Sequence, residues 1–364
     1  MRLFSIVIYA YSHASEVIFA FWGKNDVATL KKRNLIVLAV IILVIAIVLS
    51  SFVYLNSQNP YAGNIESITI GTVPNETNSL IYVANDQKYF AANGLNITLK
   101  NYPSGLADAR AVLNGEINIG IATEFIVAEE AFDNASLYLI GTDSKFSSFS
   151  MVARTDQGIN SISDLNGKTI GVSFGTIAQF YLGRYLELNN LNLSKVTLVN
   201  VPFAQSQNAL ANGTINAVLT LQPYVSQIES SLGNEVVVWQ AQSNQLGYND
   251  LVCARGWAQQ HPDLIIRFLK SLIHAEDFVI NHQNQAIDIV TKALNYSSTY
   301  LPSLWSNYQF TVSLDQSQIL AMQDEAQWLV NNNLTNTTSV PNFLNYIYFN
   351  GLEAVDPNSV TITQ

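Results

Sequence analysis

The sequence predicts a two-lobed α/β protein, because it contains an internal repeat whose two copies each alternate between strand-like and helix-like segments. The tripeptide Thr-Ile-Gly occurs at 69–71 and again at 169–171. Similar segments follow in the same order at 93–98 and 189–194, and at 114–118 and 212–216, so the offsets are 100, 96 and 98 residues. Solenoid units recur about every 20 to 50 residues, so this longer repeat indicates a duplicated domain. Two similar lobes with a cleft between them favour capture of a small molecule.

Each copy of the repeat is predicted to run strand, helix, strand, helix, strand. The first copy has strands at 67–73, 95–100 and 117–121 and helices at 79–93 and 106–114. The second copy has strands at 168–173, 195–199 and 215–220 and helices at 176–189 and 204–212. Alternating strands and helices imply right-handed crossovers, so each lobe is predicted to hold a mainly parallel sheet flanked by helices.

Two connections between the lobes are expected, near residues 148–154 and near residues 245–252, and together they would form a hinge. Lobe 1 is therefore predicted to comprise residues 65–150 and 246–364, and lobe 2 residues 151–245. Three later helices are expected to pack on lobe 1, at 262–281, 284–294 and 315–331.

The amino-terminal part predicts a single membrane span. Residues 35–55 carry no charge, and 35–49 are apolar throughout, about the length that crosses a bilayer core. Three basic residues at 31–33 precede this segment, which favours a cytoplasmic amino terminus and an extracytoplasmic position after residue 56. Residues 1–34 would be a short cytoplasmic tail or a misassigned start, and 56–64 a linker. A cleaved signal peptide is the alternative to a retained anchor in the cell membrane.

The amino-acid composition limits the kinds of partner and cofactor that we expect this protein to bind. Of 364 residues, 49% are hydrophobic and 12% charged, and the net charge is −10. No basic stripe appears after the apolar segment, so nucleic acid is not an expected partner. The single cysteine, Cys253, excludes an internal disulfide. The sequence has neither a closely spaced His/Cys cluster nor a phosphate-binding loop, so no metal or cofactor is expected.

Several segments resemble a known family. They are YVANDQKYFAANGL at 82–95, LNGEINIG at 113–120 and DLNGKTIGVSFGT at 164–176, with His-Pro-Asp at 261–263 and the tail at 341–348. Over residues 65–355 the chain resembles the extracytoplasmic solute receptors of ABC importers, in the branch for nitrate, taurine, aliphatic sulfonates and thiamine-precursor pyrimidines. The resemblance implies the type II periplasmic-binding fold, an ABC permease and its ATPase as partners, and no chemistry on the ligand.

Candidate ligand contacts follow the predicted strands, because ligands of open parallel sheets bind beyond the carboxyl ends of the strands. They are Asn75, Thr77, Asn78, Ser104, Gly105, Thr123, Glu124, Ser173, Phe174, Gly175, Thr176, Gln222 and Tyr224, with Phe146 and Tyr248 as further aromatic walls. The turn at 173–176 has no acidic residue before Glu187, so an anionic headgroup could rest on its N–H groups and hydroxyls. Helix capping by Ser173 or Thr176 is the alternative explanation.

Glu124 argues against a bare anion as the ligand. A carboxylate there would repel an anion, but it would suit an amine or the amino group of a pyrimidine. Lys145 and Arg154 flank the predicted crossover, where single charges are commonly solvated or structural. The solute class therefore stays open among sulfonate, taurine, nitrate and pyrimidine-like compounds.

Three alternative functions remain. Residues 171–175 match the G-x-S-x-G nucleophile elbow, so Ser173 could serve a hydrolase, with Asp250 or Asp263 and then His274 or His282 completing a triad. Thiamine-pyrimidine synthases share the fold that the resemblance implies, but they carry a cysteine-rich motif. A receptor ectodomain that feeds a signalling protein is the third.

Overall fold

The computed structural model describes Ile45, residues 61–242 and residues 245–363. The chain divides into two compact units, residues 1–59 and 60–364, and the fold below is that of the second unit. The predicted anchor at 35–55 and the tail at 1–34 lie outside the described residues, Ile45 apart, as does the linker before residue 61. Across the described ranges, no helix combines the length and apolarity needed to cross a bilayer.

Strands and helices are numbered in chain order. The strands are β1 Glu66–Thr72, β2 Leu95–Asn101, β3 Ile119–Thr123, β4 Leu137–Phe146, β5 Ser150–Arg154, β6 Thr169–Val172, β7 Thr197–Asn200, β8 Ala217–Thr220, β9 Val236–Gln240, β10 Gly247–Ala254 and β11 Tyr308–Ser313. The α-helices are α1 Ser79–Asp86, α2 Tyr89–Ala92, α3 Gly105–Leu113, α4 Glu124–Phe132, α5 Ile177–Leu188, α6 Ser206–Ala211, α7 Tyr224–Leu232, α8 Arg255–Gln260, α9 Pro262–Asn281, α10 Gln283–Ala293, α11 Tyr300–Leu304, α12 Gln316–Asn331 and α13 Phe349–Glu353.

The strands form two mixed sheets. Sheet 1 has the order β11-β4-β10-β3-β1-β2, and sheet 2 has the order β7-β6-β8-β5-β9. The prediction of mainly parallel sheets is confirmed only in part, because both sheets also contain antiparallel pairs. Only β1 with its neighbours β2 and β3, and β6 with its neighbours β7 and β8, pair in parallel. The strands that lead into and out of the two connections run antiparallel to their neighbours. In each sheet the strand that enters from one connection lies beside the strand that leaves into the other, so the two run in opposite directions.

The repeat read from the sequence has the same structure in both copies. The arrangement β2-β1-β3 matches β7-β6-β8. In the first copy the side-chain oxygen of Asn118 accepts the backbone N–H of Thr69 at 2.8 Å, and in the second Asn216 accepts that of Thr169 at 2.8 Å. The repeated asparagine therefore fixes the start of the central strand in each copy.

The predicted helix at 79–93 is two helices. The chain breaks between α1 and α2, where Lys88 adopts a left-handed backbone with φ of 60°. The apolar face continues across this break, so hydrophobic periodicity alone could not reveal it. Gly94 then has φ of 71°, and the matching Asn190 has φ of 60°. Glycine and asparagine are the residues that adopt this conformation most readily, so they can replace each other at the two helix ends.

Two connections join the sheets, at residues 147–149 between β4 and β5 and at residues 241–246 between β9 and β10. Both lie slightly earlier in the chain than predicted. The side chain of Gln242 ties them together, since it accepts the N–H of Ser148 at 2.9 Å and donates to the carbonyl of Phe146 at 2.8 Å. Gln242 is only 4% exposed, so both of these hydrogen bonds are shielded from water.

The late helices do more than cover sheet 1. Helix α9 matches its predicted bounds and packs on α1, α2 and β11, beside sheet 1 as expected. Helix α12 contacts α4, which follows β3, and also α5, which follows β6. The indole of Trp328 on α12 meets the ring of Phe180 on α5 edge-on, with centroids 5.7 Å apart. Helix α12 therefore bridges elements of both sheets.

Candidate ligand-binding site

The candidate residues do follow strand ends, as predicted. A short 3-10 turn, Glu76–Asn78, comes after β1, and α4 begins directly after β3. The turn at 173–176 separates β6 from α5, and residues 221–223 separate β8 from α7. The site is therefore considered turn by turn.

The turn after β1 is held by its own side chains. Asn75 accepts the N–H of Thr77 at 3.2 Å and the hydroxyl of Thr77 at 2.5 Å. Asn78 is fully buried, donates to the carbonyl of Val73, and accepts from the amide of Asn249 at 2.9 Å. These three candidates shape the turn, and the hydrogen-bonding capacity of Asn78 is largely used within the protein.

Two turns from different sheets meet. A Cβ atom added at Gly175 would lie 3.6 Å from Cδ2 of Leu106 on α3. Gly175 follows sheet 2, whereas Leu106 stands directly after Ser104 and Gly105, which follow sheet 1. Ser104 caps α3 by accepting the N–H of Ala107 at 3.2 Å. The structure thus brings the 104–106 turn and the 173–176 turn together.

The N–H and hydroxyl groups of the turn at 173–176 already donate hydrogen bonds to uncharged oxygens of the protein. The N–H of Phe174 donates to Oδ1 of Asn200 at 3.1 Å, and the N–H of Gly175 donates to Oε1 of Gln179 at 3.1 Å. The hydroxyl of Thr176 donates to the carbonyl of Ser173 at 2.8 Å. The N–H groups that we expected to hold an anion therefore point at amide oxygens of the protein. The ring of Phe174 is 40% exposed and is free to meet a ligand.

Glu124 lies in the core instead of facing solvent. It is 0% exposed, its Oε2 accepts the N–H of Tyr248 at 2.9 Å, and Thr123 precedes it at the start of α4. Burial, and then the nearby carboxyl of Asp250, raises the pKa of Glu124 well above its usual value. Burial and Glu124 itself raise the pKa of Glu325 on α12 in the same way. This group of carboxyls is interior, so Glu124 offers no charge at the surface between the two turns.

The proposed aromatic walls divide into buried and accessible rings. Phe146 and Tyr248 are 4% and 5% exposed, and the hydroxyl of Tyr248 donates to Ser317 at 2.8 Å. Tyr224 is half-buried and stacks on Phe203, with ring centroids 6.5 Å apart and planes 15° apart. Tyr224 and Phe174 are therefore better placed to meet a solute.

Gln222, just before α7, caps that helix. Its Oε1 accepts both the N–H of Ser226, at 3.2 Å, and the Ser226 hydroxyl, at 2.8 Å. This oxygen is therefore engaged within the protein.

The two flanking cations are structural. Lys145 pairs with Asp315 at 2.7 Å, and Arg154 pairs with Asp156 at 2.6 Å and with Glu235 at 3.4 Å. Both cations are therefore paired with carboxylates of the described residues, and we do not expect either to bind a ligand anion. The part of the chain that the structure describes also holds no group of His, Cys, Asp or Glu side chains suited to a metal ion.

Sequence reasoning missed one group beside the candidate turns. Glu76 is 1% exposed and accepts the hydroxyls of Tyr296 at 2.9 Å and Tyr308 at 2.6 Å. Its partners lie more than 200 residues further along the chain. The run of tyrosines at 296, 300 and 308 was the available signal, but nothing in the local sequence connects it with Glu76.

A fold of two mixed α/β sheets joined by two short connections is that of the periplasmic-binding proteins, and comparisons agree. The sequence profile described as NMT1/THI5 like matches residues 75–286, and the chain belongs to that family. The solved structure of the alkanesulfonate-binding protein SsuA from Xanthomonas axonopodis pv. citri, bound to MOPS, matches with a TM-score of 0.67 at 17% identity. That match covers 79% of this chain and 100% of SsuA.

Two curated relatives are also similar. YtlA of Bacillus subtilis, which is classed as a binding protein, is 25% identical over 61% of this chain and 70% of its own length. The taurine-binding periplasmic protein of Escherichia coli is 24% identical over 52% of this chain and 60% of its own length. The chain is therefore similar to one relative classed only as a binding protein and to one that binds taurine.

Proposed function

We propose that this protein is an extracytoplasmic receptor that captures a small organic solute between two lobes and delivers it to an ABC permease with its ATPase. The observation that carries the proposal is the meeting of the 104–106 and 173–176 turns, which follow different sheets. The sheets are joined by only two short connections, a geometry suited to hinge closure around a ligand. Sulfonates and taurine are the first solutes to test, because named relatives bind them.

The proposed lobes keep the predicted bounds, 65–150 with 246–364 and 151–245. We further propose that residues 35–55 anchor the protein in the cell membrane, with the lobes outside the cytoplasm. Protease added to intact cells should then degrade the lobes while a fragment containing 35–55 stays with the membrane pellet. Recovery of the whole chain in the soluble fraction would contradict the anchor and leave the receptor proposal standing.

A bound solute should raise the temperature at which the full chain unfolds in detergent, and a thermal-shift screen would detect this rise. A ligand present at about 100 times its Kd stabilises a folded protein by about 2.7 kcal/mol. The screen would include ethanesulfonate, taurine, nitrate, aminopyrimidines and amines. X-ray scattering with a hit should show a smaller radius of gyration than without it. An unchanged radius with a confirmed tight ligand would contradict capture by closure.

Gly175→Ala should weaken solute binding about tenfold, because it disturbs the turn that meets Leu106 and carries the exposed ring of Phe174. Gly175 has φ of 66°, so alanine is strained there. Gly213→Ala is the matched control, since Gly213 has φ of 76° and a Cβ there would meet only Gln157 within 4 Å. Both variants should lose similar stability, and calorimetric titration should separate them. Equal loss of affinity in both would argue that the turn does not contact the solute.

Neither enzymatic alternative gains support from the geometry. Asp263 pairs with Arg267, Asp250 bonds Thr142 and Gln318, and His274 and His282 pack on Tyr89 and Phe278. No hydrogen bond joins Ser173 to a histidine within residues 61–242 and 245–363. An ester hydrolysis assay with Ser173→Ala tests the hydrolase directly. Cys253 is buried, and burial raises the pKa of its thiol, which suits a packing residue better than a synthase cysteine.

A further inference from the structure

Glu76 is a carboxylate with room for more donors. Its two oxygens accept one tyrosine hydroxyl each, from Tyr296 and Tyr308. A carboxylate offers about four acceptor positions, so about two are left. Among the ion pairs within residues 61–242 and 245–363, none involves Glu76. The Glu76 carboxyl therefore has phenol partners but no ion-pair partner among the described residues.

Tyrosine rings from the segment that leads into β11 lie beside this carboxyl. Tyr296 and Tyr300 meet edge-on, with centroids 4.7 Å apart, and both belong to the segment before β11 of sheet 1. Burial, then the Glu76 carboxylate and then Tyr224, raises the pKa of the Tyr300 hydroxyl. Tyr300 touches Tyr296, which bonds Glu76, and it lines a pocket with Pro223 and Ser226, on either side of Tyr224 after β8 of sheet 2. The hydroxyl of Tyr300 is buried and has no hydrogen-bond partner.

An open pocket of about 570 Å³ adjoins Tyr300. Tyr300 forms one side, and Pro223, Gln207 and Ser226 are among the residues on the other. Its lining residues are all uncharged. The pocket thus joins a residue of the sheet 1 segment to α6 and α7 of sheet 2, which is where a solute held between the lobes would lie.

We propose that the captured solute carries a positively charged amine or quaternary ammonium group, which binds near Glu76 among the rings of Tyr296, Tyr300, Tyr308 and Tyr224. This inference rests on the proposed receptor function and names its solute class. Cations are attracted to aromatic faces and to carboxylates, whereas the same surroundings repel a bare sulfonate. In the proposed opening, sheet 2 carries the Tyr224 turn away from Tyr300 and so opens the pocket beside the tyrosines. Closure brings that turn back beside the bound ammonium group.

Calorimetric titration of the full chain with two matched pairs tests the charge requirement. Choline and 3,3-dimethylbutan-1-ol differ by one positive charge, and so do taurine and ethanesulfonate. We expect the charged member of at least one pair to bind at least tenfold more tightly than its partner. Equal or weaker binding of the ammonium member in both pairs would overturn the inference. If some of these compounds bind but neither ammonium member binds more tightly than its partner without the ammonium group, the receptor proposal survives and only the solute class fails. If none of these compounds binds and nothing in the wider screen binds, the receptor proposal and the inferred solute class both fail.

Glu76→Gln identifies the residue responsible. Glutamine keeps the shape and can still bond the tyrosines, so we expect at least a tenfold loss of affinity for the ammonium ligand with ethanesulfonate unaffected or tighter. Glu116→Gln, at an exposed site paired with Lys100, is the control and should change neither. Tyr300→Phe should retain binding and Tyr300→Leu should lose it, because the ring face is the proposed contact. Full ammonium affinity in both Glu76→Gln and Tyr300→Leu would refute the site.

Discussion

Between pH 4 and pH 7, the free energy of unfolding of the parent protein should fall by about 4 kcal/mol more than that of the Asp108→Asn variant. Asp108 on α3 is 0% exposed, and burial raises its pKa to about 7, an effect that the nearby backbone of Ile121 partly offsets. In the unfolded chain an aspartate titrates near about 3.9. The folded state therefore holds a proton that the unfolded state releases, so stability is greatest below about pH 4 and falls as the pH rises to about 7.

Urea unfolding at pH 4, 5, 6 and 7 measures this effect. The free energy of unfolding of the parent should fall with pH more steeply than that of the variant, because asparagine resembles the protonated acid. Other buried carboxyls, among them Glu124 and Glu325, contribute the same trend to both proteins and cancel in the difference. Asp86→Asn, at an exposed position, is the control and should follow the parent. Parallel pH curves for Asp108→Asn and the parent would show that Asp108 does not hold the proton.

Gly71→Ala should destabilise the protein by about 3 kcal/mol, the upper part of the range for overpacking a core. A Cβ atom at Gly71 would overlap the carboxyl of Asp108 and approach Cδ1 of Ile117 to 2.6 Å. Gly120 on the neighbouring strand β3 encloses the same carboxyl, since a Cβ there would lie 2.8 Å from its Oδ1. The side chain of Asp108 thus has little space into which it can move.

A double-mutant cycle tests this explanation. Asp108→Ala removes the overlapping atoms, so Gly71→Ala should cost clearly less in that background than in the parent. Gly256→Ala is the control, because Gly256 is exposed on α8 and a Cβ there would meet nothing within 4 Å. Chemical denaturation of the four proteins and the control gives the coupling. Costs that add to within about 0.5 kcal/mol would exclude a direct clash.

Local signals accounted for the repeated part of the fold. Asn118 and Asn216 hold equivalent strands by equivalent hydrogen bonds. Gly71 and Gly171 each lie under side chains that leave no room for a Cβ atom. Each of these features lies within one copy of the repeat and recurs at the equivalent position of the other copy, so it leaves a pattern in the sequence. The break at Lys88 left none, because the residues on either side continue the same apolar face.

Long-range contacts decided the site. Glu124 was expected at the cleft, but the structure buries it with Asp250 and Glu325, which lie more than 100 residues away. Glu76 was not predicted to matter, yet it gathers tyrosines from more than 200 residues away. Burial changes the charge of a carboxyl, and burial depends on which distant elements pack over it. No local pattern carries that information.

By itself the sequence determined that this protein is built twice from one α/β unit, with turn residues that end and begin its central strands, and it indicated the receptor family. Only the tertiary structure decided that both sheets are mixed, that α12 bridges them, and which acids are interior. The reason is physical: helical period and turn chemistry act over a few residues. Strand direction at the connections and desolvation of carboxyls are set by contacts across the whole chain.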